Sequence, residues 1–248
     1  MSANTSGQAA ETAACAIYVC PGFEWRDADC FLFDIDGTLL NTRDGVHYHT
    51  FSRAFREVWN LEETIDGVPW HGNTDIGIIR GVAERAGIQE DALELDALCR
   101  VMSEELARTR ERLQPTTCPA VPDLLAGLRA EGKLLGVATG NIESVGWAKL
   151  ENCGLRDYFA FGAFSARGYE TREAIFERAA ALANQHFPDS RSPVIHVVGD
   201  TPSDIRAARA IGLPIIAVAT GKYSYEDLRT QSPEMLLGCW ADLITPLP

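Results

Sequence analysis

The stretch Cys30-Phe31-Leu32-Phe33-Asp34-Ile35-Asp36-Gly37-Thr38 decides the reading of this chain. Four apolar residues, two of them aromatic, stop at an acidic segment that carries a glycine. So short a run, ended by residues that would make a poor helix interior, fits a strand buried on both faces. The same pattern returns downstream. Leu134–Ala138 is apolar and ends in Thr139-Gly140-Asn141, and Val194–Val198 is apolar and ends in Gly199-Asp200-Thr201-Pro202-Ser203-Asp204. Tyr158–Phe164 and Pro214–Val218 read as further strands. Helices are expected over Pro122–Ala130, Ile142–Asn152, Arg172–His186 and Pro202–Ala210, with Gly154 and Gly212 as stops. This alternation predicts an α/β fold, a Rossmann-like doubly wound parallel sheet with helices on both faces.

Residues 45–118 interrupt the alternation. Three segments there have helical spacing, His47–Trp59, Thr74–Ala86 and Asp91–Leu113. In the third, Leu95, Leu98, Val101, Met102, Leu106 and Leu113 recur at threes and fours. Asp66–Asn73, with Gly67, Pro69 and Gly72, reads as a connecting loop. The expectation is a helical domain over 45–118, inserted after the first strand into a core formed by 27–44 and 119–248. Residues 1–26 are expected to be a loose tail with one short ordered piece near Ala16–Cys20.

The 248 residues carry 22 Lys+Arg against 35 Asp+Glu, a net charge of −13. That balance argues against nucleic acid or an anionic membrane as a partner, since phosphate repels such a surface. No run approaches the roughly 18 apolar residues that cross a bilayer. The seven cysteines are scattered and never spaced C-x-x-C, which predicts reduced thiols. With no basic region ahead of the first mildly apolar stretch, a cytoplasmic location is expected. Lysine is scarce: Lys133, Lys149 and Lys222 are the three.

In open parallel sheets, ligands sit off the carboxyl ends of the strands. Asp34, Asp36, Asp200 and Asp204 all fall at such ends and would repel one another in one crevice. A divalent cation relieves that repulsion, and oxygen ligands suit Mg²⁺.

Phe33-Asp34-Ile35-Asp36-Gly37-Thr38-Leu39 resembles the first signature of the haloacid dehalogenase-like hydrolases. Thr139 resembles their second motif and Gly199-Asp200-x-x-x-Asp204 their fourth. Order and spacing agree over about Asp29–Val218. The helical insert resembles the C1 cap of the phosphatase branch, which includes phosphoglycolate phosphatases and β-phosphoglucomutases, and Gly72-Asn73-Thr74-Asp75 resembles a loop of that cap. The resemblance implies that Asp34 attacks phosphorus and forms an aspartyl-phosphate. It implies that Asp36 protonates the leaving oxygen and then activates water. Thr139, Gly140 and Asn141 would hold phosphoryl oxygens. Asp200 and Asp204 would bind or orient Mg²⁺ beside Asp34 and the Asp36 carbonyl. The third motif is one Lys or Arg ahead of the fourth. Arg172, 28 residues before Asp200, is the choice and Arg167 the alternative, because Lys133 and Lys149 come too early.

Asp36 disfavours the dehalogenase branch, which needs no proton for an alkoxide. Residues 41–120 hold no lysine for Schiff-base chemistry. A phosphatase acting on a small phosphorylated metabolite, of phosphoglycolate or sugar phosphate type, is therefore expected. The alternatives are a phosphoglucomutase, for which Arg53, Arg56, Arg80 and Arg85 are candidate cap cations, and an inactive phosphate-binding module. A dinucleotide-dependent oxidoreductase is disfavoured, since no G-x-G-x-x-G follows the first strand. His47 and His49 are expected to be solvated or packed on a helix, and Trp59, Trp70 and Trp147 to be packing residues. His71 is a candidate to face the site. A monomer and a homodimer are both compatible with the sequence.

Overall fold

Alternate residues of the stretch 30–33 serve two different cores, as the two-residue period of a strand dictates. Phe31 and Phe33 join Leu125, Leu128, Leu135, Val137 and Trp240 on one side, while Cys30 and Leu32 join Ile175, Phe176, Ala179, Val197 and Ile205 on the other. The computed structural model describes residues 16–188 and 190–244. Its strands and helices are β1 (Ile17–Val19), β2 (Cys30–Phe33), β3 (Leu40–Asn41), α1 (Val46–Trp59), α2 (Asp75–Ala86), α3 (Leu95–Thr109), β4 (Thr116–Thr117) and α4 (Val121–Ala130). Then follow β5 (Leu134–Ala138), α5 (Glu143–Asn152), β6 (Phe161–Ala163), α6 (Arg172–Asn184), β7 (Ile195–Gly199) and α7 (Pro202–Ala210). The last are β8 (Ile215–Val218), α8 (Tyr225–Arg229), β9 (Met235–Leu237) and α9 (Ala241–Ile244).

Among the described residues, seven strands form one sheet in the order β1-β9-β8-β7-β2-β5-β6. All neighbours are parallel except β1, which runs antiparallel along β9. The chain leaves β2 toward β5 and β6, then crosses back to β7 on the other side of β2. The crevice at that reversal is where an open α/β sheet binds ligands, and β2, β5 and β7 end there in Asp34, Thr139 and Asp200. The α/β doubly wound architecture matches the expectation.

Helices α1, α2 and α3 have their own apolar core, built on Phe51, Phe55, Ile76, Ile79, Leu98 and Met102. Ile142, Val145 and Ala148, from α5 and the residue before it, belong to the same cluster, so this layer packs on the sheet domain through α5. The chain enters and leaves the layer through a two-stranded ladder, Leu40–Asn41 antiparallel to Thr116–Thr117. Among the described residues no helix is long and apolar enough to cross a membrane.

The ordered piece expected near Ala16–Cys20 is β1, where Ile17-Tyr18-Val19 pairs with Met235-Leu236-Leu237; residues 1–15 of the expected tail lie outside the described residues. Two local readings change. The expected helix 91–113 divides: Glu94 takes a left-handed conformation (φ 49°) that starts α3 at Leu95, and Arg110–Arg112 tightens into a 3₁₀ turn. The expected strand 158–164 pairs only over Phe161–Ala163, because Arg156–Tyr158 is also a 3₁₀ turn.

Trp240 ties the C-terminal segment to the loop after β2. It is 2 % exposed, and its Nε1 donates to the Thr38 carbonyl at 2.8 Å. Trp240→Ala is expected to cost about 3–5 kcal/mol of stability through the cavity it leaves. Trp240→Phe, which keeps a ring but strands the Thr38 carbonyl, is expected to cost about 1–3 kcal/mol. Urea unfolding monitored by circular dichroism measures both.

Candidate active site

Asp34 leaves β2 with its N–H bonded to the Val198 carbonyl at 2.9 Å, so its backbone is still part of the sheet. Its carboxylate, 2 % exposed, accepts from Arg172 Nη1 at 2.9 Å. The same Nη1 lies 3.0 Å from Asp204 Oδ1. Arg172 reaches the cluster from the first position of α6, where the Thr171 side chain caps the helix. Arg167, the alternative, pairs instead with Asp96 and is largely exposed. Asp200 Oδ1 accepts from Thr38 Oγ1 at 3.0 Å. Carboxylate oxygens of Asp34, Asp200 and Asp204 lie within 4.8 Å of one another. Asp204 Oδ2 accepts from Thr201 N and Oγ1 in a capping box that starts α7, while its Oδ1 faces Arg172 without making a hydrogen bond. That oxygen lies in the same cluster as the Asp34 and Asp200 carboxylates, where the expected ligand role would place it.

Asp36 sits in a different environment. Its side chain keeps 41 % of its accessible surface and faces the cavity. Lys149 Nζ donates to both of its oxygens, at 2.9 and 2.7 Å, and Asn141 Nδ2 donates to Oδ2 at 2.8 Å. Lys149 was not expected here. It is 2 % exposed on α5, and Ile142, Val145 and Lys149 fall at i, i+3 and i+7 along the buried stripe of that helix. A lysine on an apolar stripe is the sequence signal that would have found it. Asn141, expected to hold phosphoryl oxygens, lines the cavity with its side-chain amide bonded to Asp36, Thr139 Oγ1 and Lys149. His47, expected to be solvated or packed on a helix, instead lies between Lys149 and Asp75.

Helices α1 and α2 lie against this edge. Asp75 N donates to the Gly140 carbonyl at 2.7 Å, and Asp75 Oδ2 accepts from Ile142 N at 2.8 Å. Thr74 Oγ1 donates to the Glu170 carbonyl. A Cβ on Gly140 would fall 2.5 Å from the Asn73 carbonyl oxygen, so only glycine admits this approach. Beneath the helical layer is a cavity of about 420 Å³ lined by Asp34, Asp36, Thr139, Gly140, Asn141, Arg172 and Asp200 from the sheet edge, with Arg43, His47, Tyr48, Phe51, His71 and Lys222 around the rest. Trp70, expected to be a packing residue, is half exposed at this cavity and stacks on His71 with ring centroids 3.5 Å apart. Arg53, Arg56, Arg80 and Arg85 are absent from the lining and are paired with Glu57, Glu62, Glu90 and Glu63.

A sequence model of the family described as haloacid dehalogenase-like hydrolase matches residues 31–218, from β2 to the end of β8. The chain belongs to the haloacid dehalogenase-like hydrolases. A relative from Dickeya dadantii, named "Probable phosphatase IndB", is 26 % identical over 222 residues, covering 86 % of this chain and 90 % of its own. A phosphoglycolate phosphatase from Yersinia pseudotuberculosis is also 26 % identical, over 224 residues, with the same coverage of 86 % and 90 %. The crystal structure of CbbY from Rhodobacter sphaeroides, in complex with phosphate, shares the fold at a TM-score of 0.64, with 21 % identity over 87 % of this chain and 96 % of that one.

The acidic edge of this family member has the donors for a hard cation. One guanidinium among three buried carboxylates leaves an excess of two negative charges, and all the donors are oxygens, as Mg²⁺ prefers. Asp200 is held in a glycine cradle: a Cβ on Gly37, where φ is +85°, or on Gly221 would fall 2.2 or 1.8 Å from its Oδ2. Burial pushes the Asp34 carboxyl up to about 6, with Arg172 opposing and Asp204 adding to the rise. Burial and the Asp34 and Asp204 charges raise Asp200 well above the ordinary range. Burial would raise Asp36 too, but the Lys149 charge and the hydrogen bonds from Lys149 and Asn141 hold it below.

A carboxyl raised on folding favours the protonated native state. For Asp34 the metal-free chain therefore loses stability as pH rises through the window from about 4 to about 6. A cation that binds the ionised groups competes with those protons. At saturating Mg²⁺, about 100 times its Kd, the linkage is worth about 2.7 kcal/mol, or a Tm rise of roughly 5–10 °C for a chain this size. The rise is expected at pH 7.5, to shrink at pH 5, and to vanish in Asp200→Asn, as differential scanning fluorimetry will read.

Proposed function

We propose that this hydrolase is a Mg²⁺-dependent phosphatase that cleaves a small phosphomonoester through an aspartyl-phosphate at Asp34. The observation that carries the reading is the placement of Asp34, on the rigid end of the central strand, bonded to Arg172 and facing the cavity. The relatives named phosphoglycolate phosphatase support the same class of substrate.

In this reading the substrate phosphoryl group lies against Thr139, the Gly140 backbone and the Arg172 side of the cluster. Asp34 Oδ attacks phosphorus as the bond to the leaving oxygen breaks, giving an acyl phosphate. Asp36, the other carboxylate of the loop and the more exposed, takes up a proton from solvent as the substrate enters and gives it to the leaving oxygen. It then takes a proton from the water that attacks the acyl phosphate, releasing inorganic phosphate and restoring Asp34. Asp34, Asp200 and the Asp36 carbonyl would hold the Mg²⁺, with Asp204 binding or orienting it beside them. Bound there, Mg²⁺ supplies positive charge that offsets the carboxylates and the phosphoryl oxygens. Asp204 keeps Arg172 in place. The helical layer over 45–118 acts as the cap, moving about the β3–β4 ladder to admit substrate and exclude water.

Hydrolysis is favoured over mutase chemistry because Arg53, Arg56, Arg80 and Arg85, the candidate sugar-phosphate cations, are engaged by glutamates away from the cavity. The test is release of inorganic phosphate from p-nitrophenyl phosphate, 2-phosphoglycolate and a set of sugar phosphates, with Mg²⁺ and with EDTA. Mg²⁺-dependent release is expected, with Asp34→Asn lowering kcat at least about 1000-fold in a variant that still unfolds cooperatively. No release from any ester, or release that survives Asp34→Asn, contradicts the proposal. Arg172→Met removes a charge that lowers the Asp34 carboxyl, so the acid limb of the kcat/KM profile is expected to move to higher pH.

A further inference from the structure

Lys149 is a full charge on the buried face of a helix, among Val145, Ala148 and Leu150. An apolar residue there would avoid the cost of removing an ammonium from water. What the ammonium does instead is fully specified by its geometry. Its three donors have three acceptors: the Asp36 carboxylate at 2.7 and 2.9 Å, Asn141 Oδ1 at 2.9 Å and His47 Nδ1 at 3.3 Å. With Nδ1 accepting, His47 carries its proton on Nε2, which faces Asp75 Oδ2 at 3.1 Å. Asp75 Oδ2 is itself held by Ile142 N. Asn141 Nδ2 adds a further bond to Asp36 Oδ2, so the plane of that carboxylate is fixed. Asp36, Asn141 and Lys149 come from the sheet domain, whereas His47 and Asp75 come from α1 and α2.

We infer that Lys149 is the positioning residue that orients the Asp36 carboxylate for proton transfer to the leaving oxygen, and that His47 makes this orientation depend on the helical layer lying against the sheet edge. The inference rests on the acid–base role given to Asp36 above. With the layer lifted, Lys149 loses the His47 acceptor and is held by Asp36 and Asn141 alone, so the ammonium and the carboxylate it carries are less firmly oriented. Closure of the cap and readiness of Asp36 are then one event.

The test compares two esters with Mg²⁺ present: benzyl phosphate, whose alkoxide needs a proton to leave, and p-nitrophenyl phosphate, whose phenolate does not. For both, kcat/KM reports the steps up to acyl-phosphate formation, so the second half of the reaction does not enter. A general acid is worth about 100- to 10,000-fold. Lys149→Met is therefore expected to lower kcat/KM at least about 100-fold for benzyl phosphate and less than about tenfold for p-nitrophenyl phosphate. His47→Phe keeps a ring beside Phe51, 5.2 Å away, and is expected to lower the benzyl-to-nitrophenyl ratio in the same direction. It carries the test if Lys149→Met does not fold. Equal losses on both esters in Lys149→Met, or in His47→Phe when that variant stands in, overturn the inference. Asp36→Asn separates the two levels. If it lowers the ratio and the positioning variants do not, the inference alone fails. If Asp36→Asn leaves the ratio unchanged, the acid–base assignment fails and takes the inference with it.

Discussion

A single buried guanidinium holds the acidic edge of this molecule together. Arg172 touches Asp34 and Asp204, and Asp200 lies within the same 4.8 Å cluster. Two like charges at that distance repel by about 3.5 kcal/mol at an effective dielectric of 20. Three such pairs among groups removed from water are more than one arginine can neutralise, and burial answers by raising Asp34 and Asp200 toward their protonated forms. The fold tolerates this crowding because Asp34 and Asp200 stand at the ends of adjacent parallel strands and Asp204 is fixed in the first turn of α7, so backbone bonding prevents them from moving apart. The strain that burial places on the acidic groups is what makes the site receptive to a cation and to a phosphoryl group with it.

The second carboxylate of the loop escapes that crowding through a separate pairing. Asp36 lies two residues from Asp34 and turns to Lys149 and Asn141, outside the acidic cluster. One turn of backbone therefore presents two carboxylates with opposite electrostatic histories, one raised by burial and one lowered by an ammonium. Gly37, with φ at +85° and no room for a Cβ against Asp200, makes the turn possible. The helical layer reaches both systems. Asp75 bonds the Gly140 carbonyl and the Ile142 N–H, and His47 bridges Asp75 to Lys149.

Much of this was legible in the residues alone, and the reasons are local. Cys30–Phe33 followed by Asp34-Ile35-Asp36-Gly37 reads as a strand with an acidic exit because the apolar run is short and the exit cannot be helix interior. Arg172 is legible only through the family resemblance, which asks for one cation ahead of Asp200; by itself an arginine at a helix start reads as solvated or ion-paired. Lys149 is not legible by motif order, which sets it too early; only its register with Ile142 and Val145 marks it as buried. Asp204 reads as a ligand from spacing, but spacing does not announce that the Thr201 capping box takes one of its oxygens and leaves the other to the acidic cluster, a detail fixed by the turn into α7. The strands β1 and β9 have three residues each, too few to show a period, and they become strands through pairing over more than 200 residues of sequence. The start of α3 depends on Glu94 in a left-handed conformation, which its residue type does not announce.

The account stands on covalent capture of phosphorus by Asp34. The most direct measurement is rapid acid quench during turnover with Mg²⁺, followed by borohydride reduction and peptide mass mapping, since reduction of an acyl phosphate converts the aspartate to homoserine. Homoserine at position 34, appearing only with substrate, is the predicted result. Steady phosphate release with aspartate intact at 34, or homoserine at another carboxylate, would contradict it.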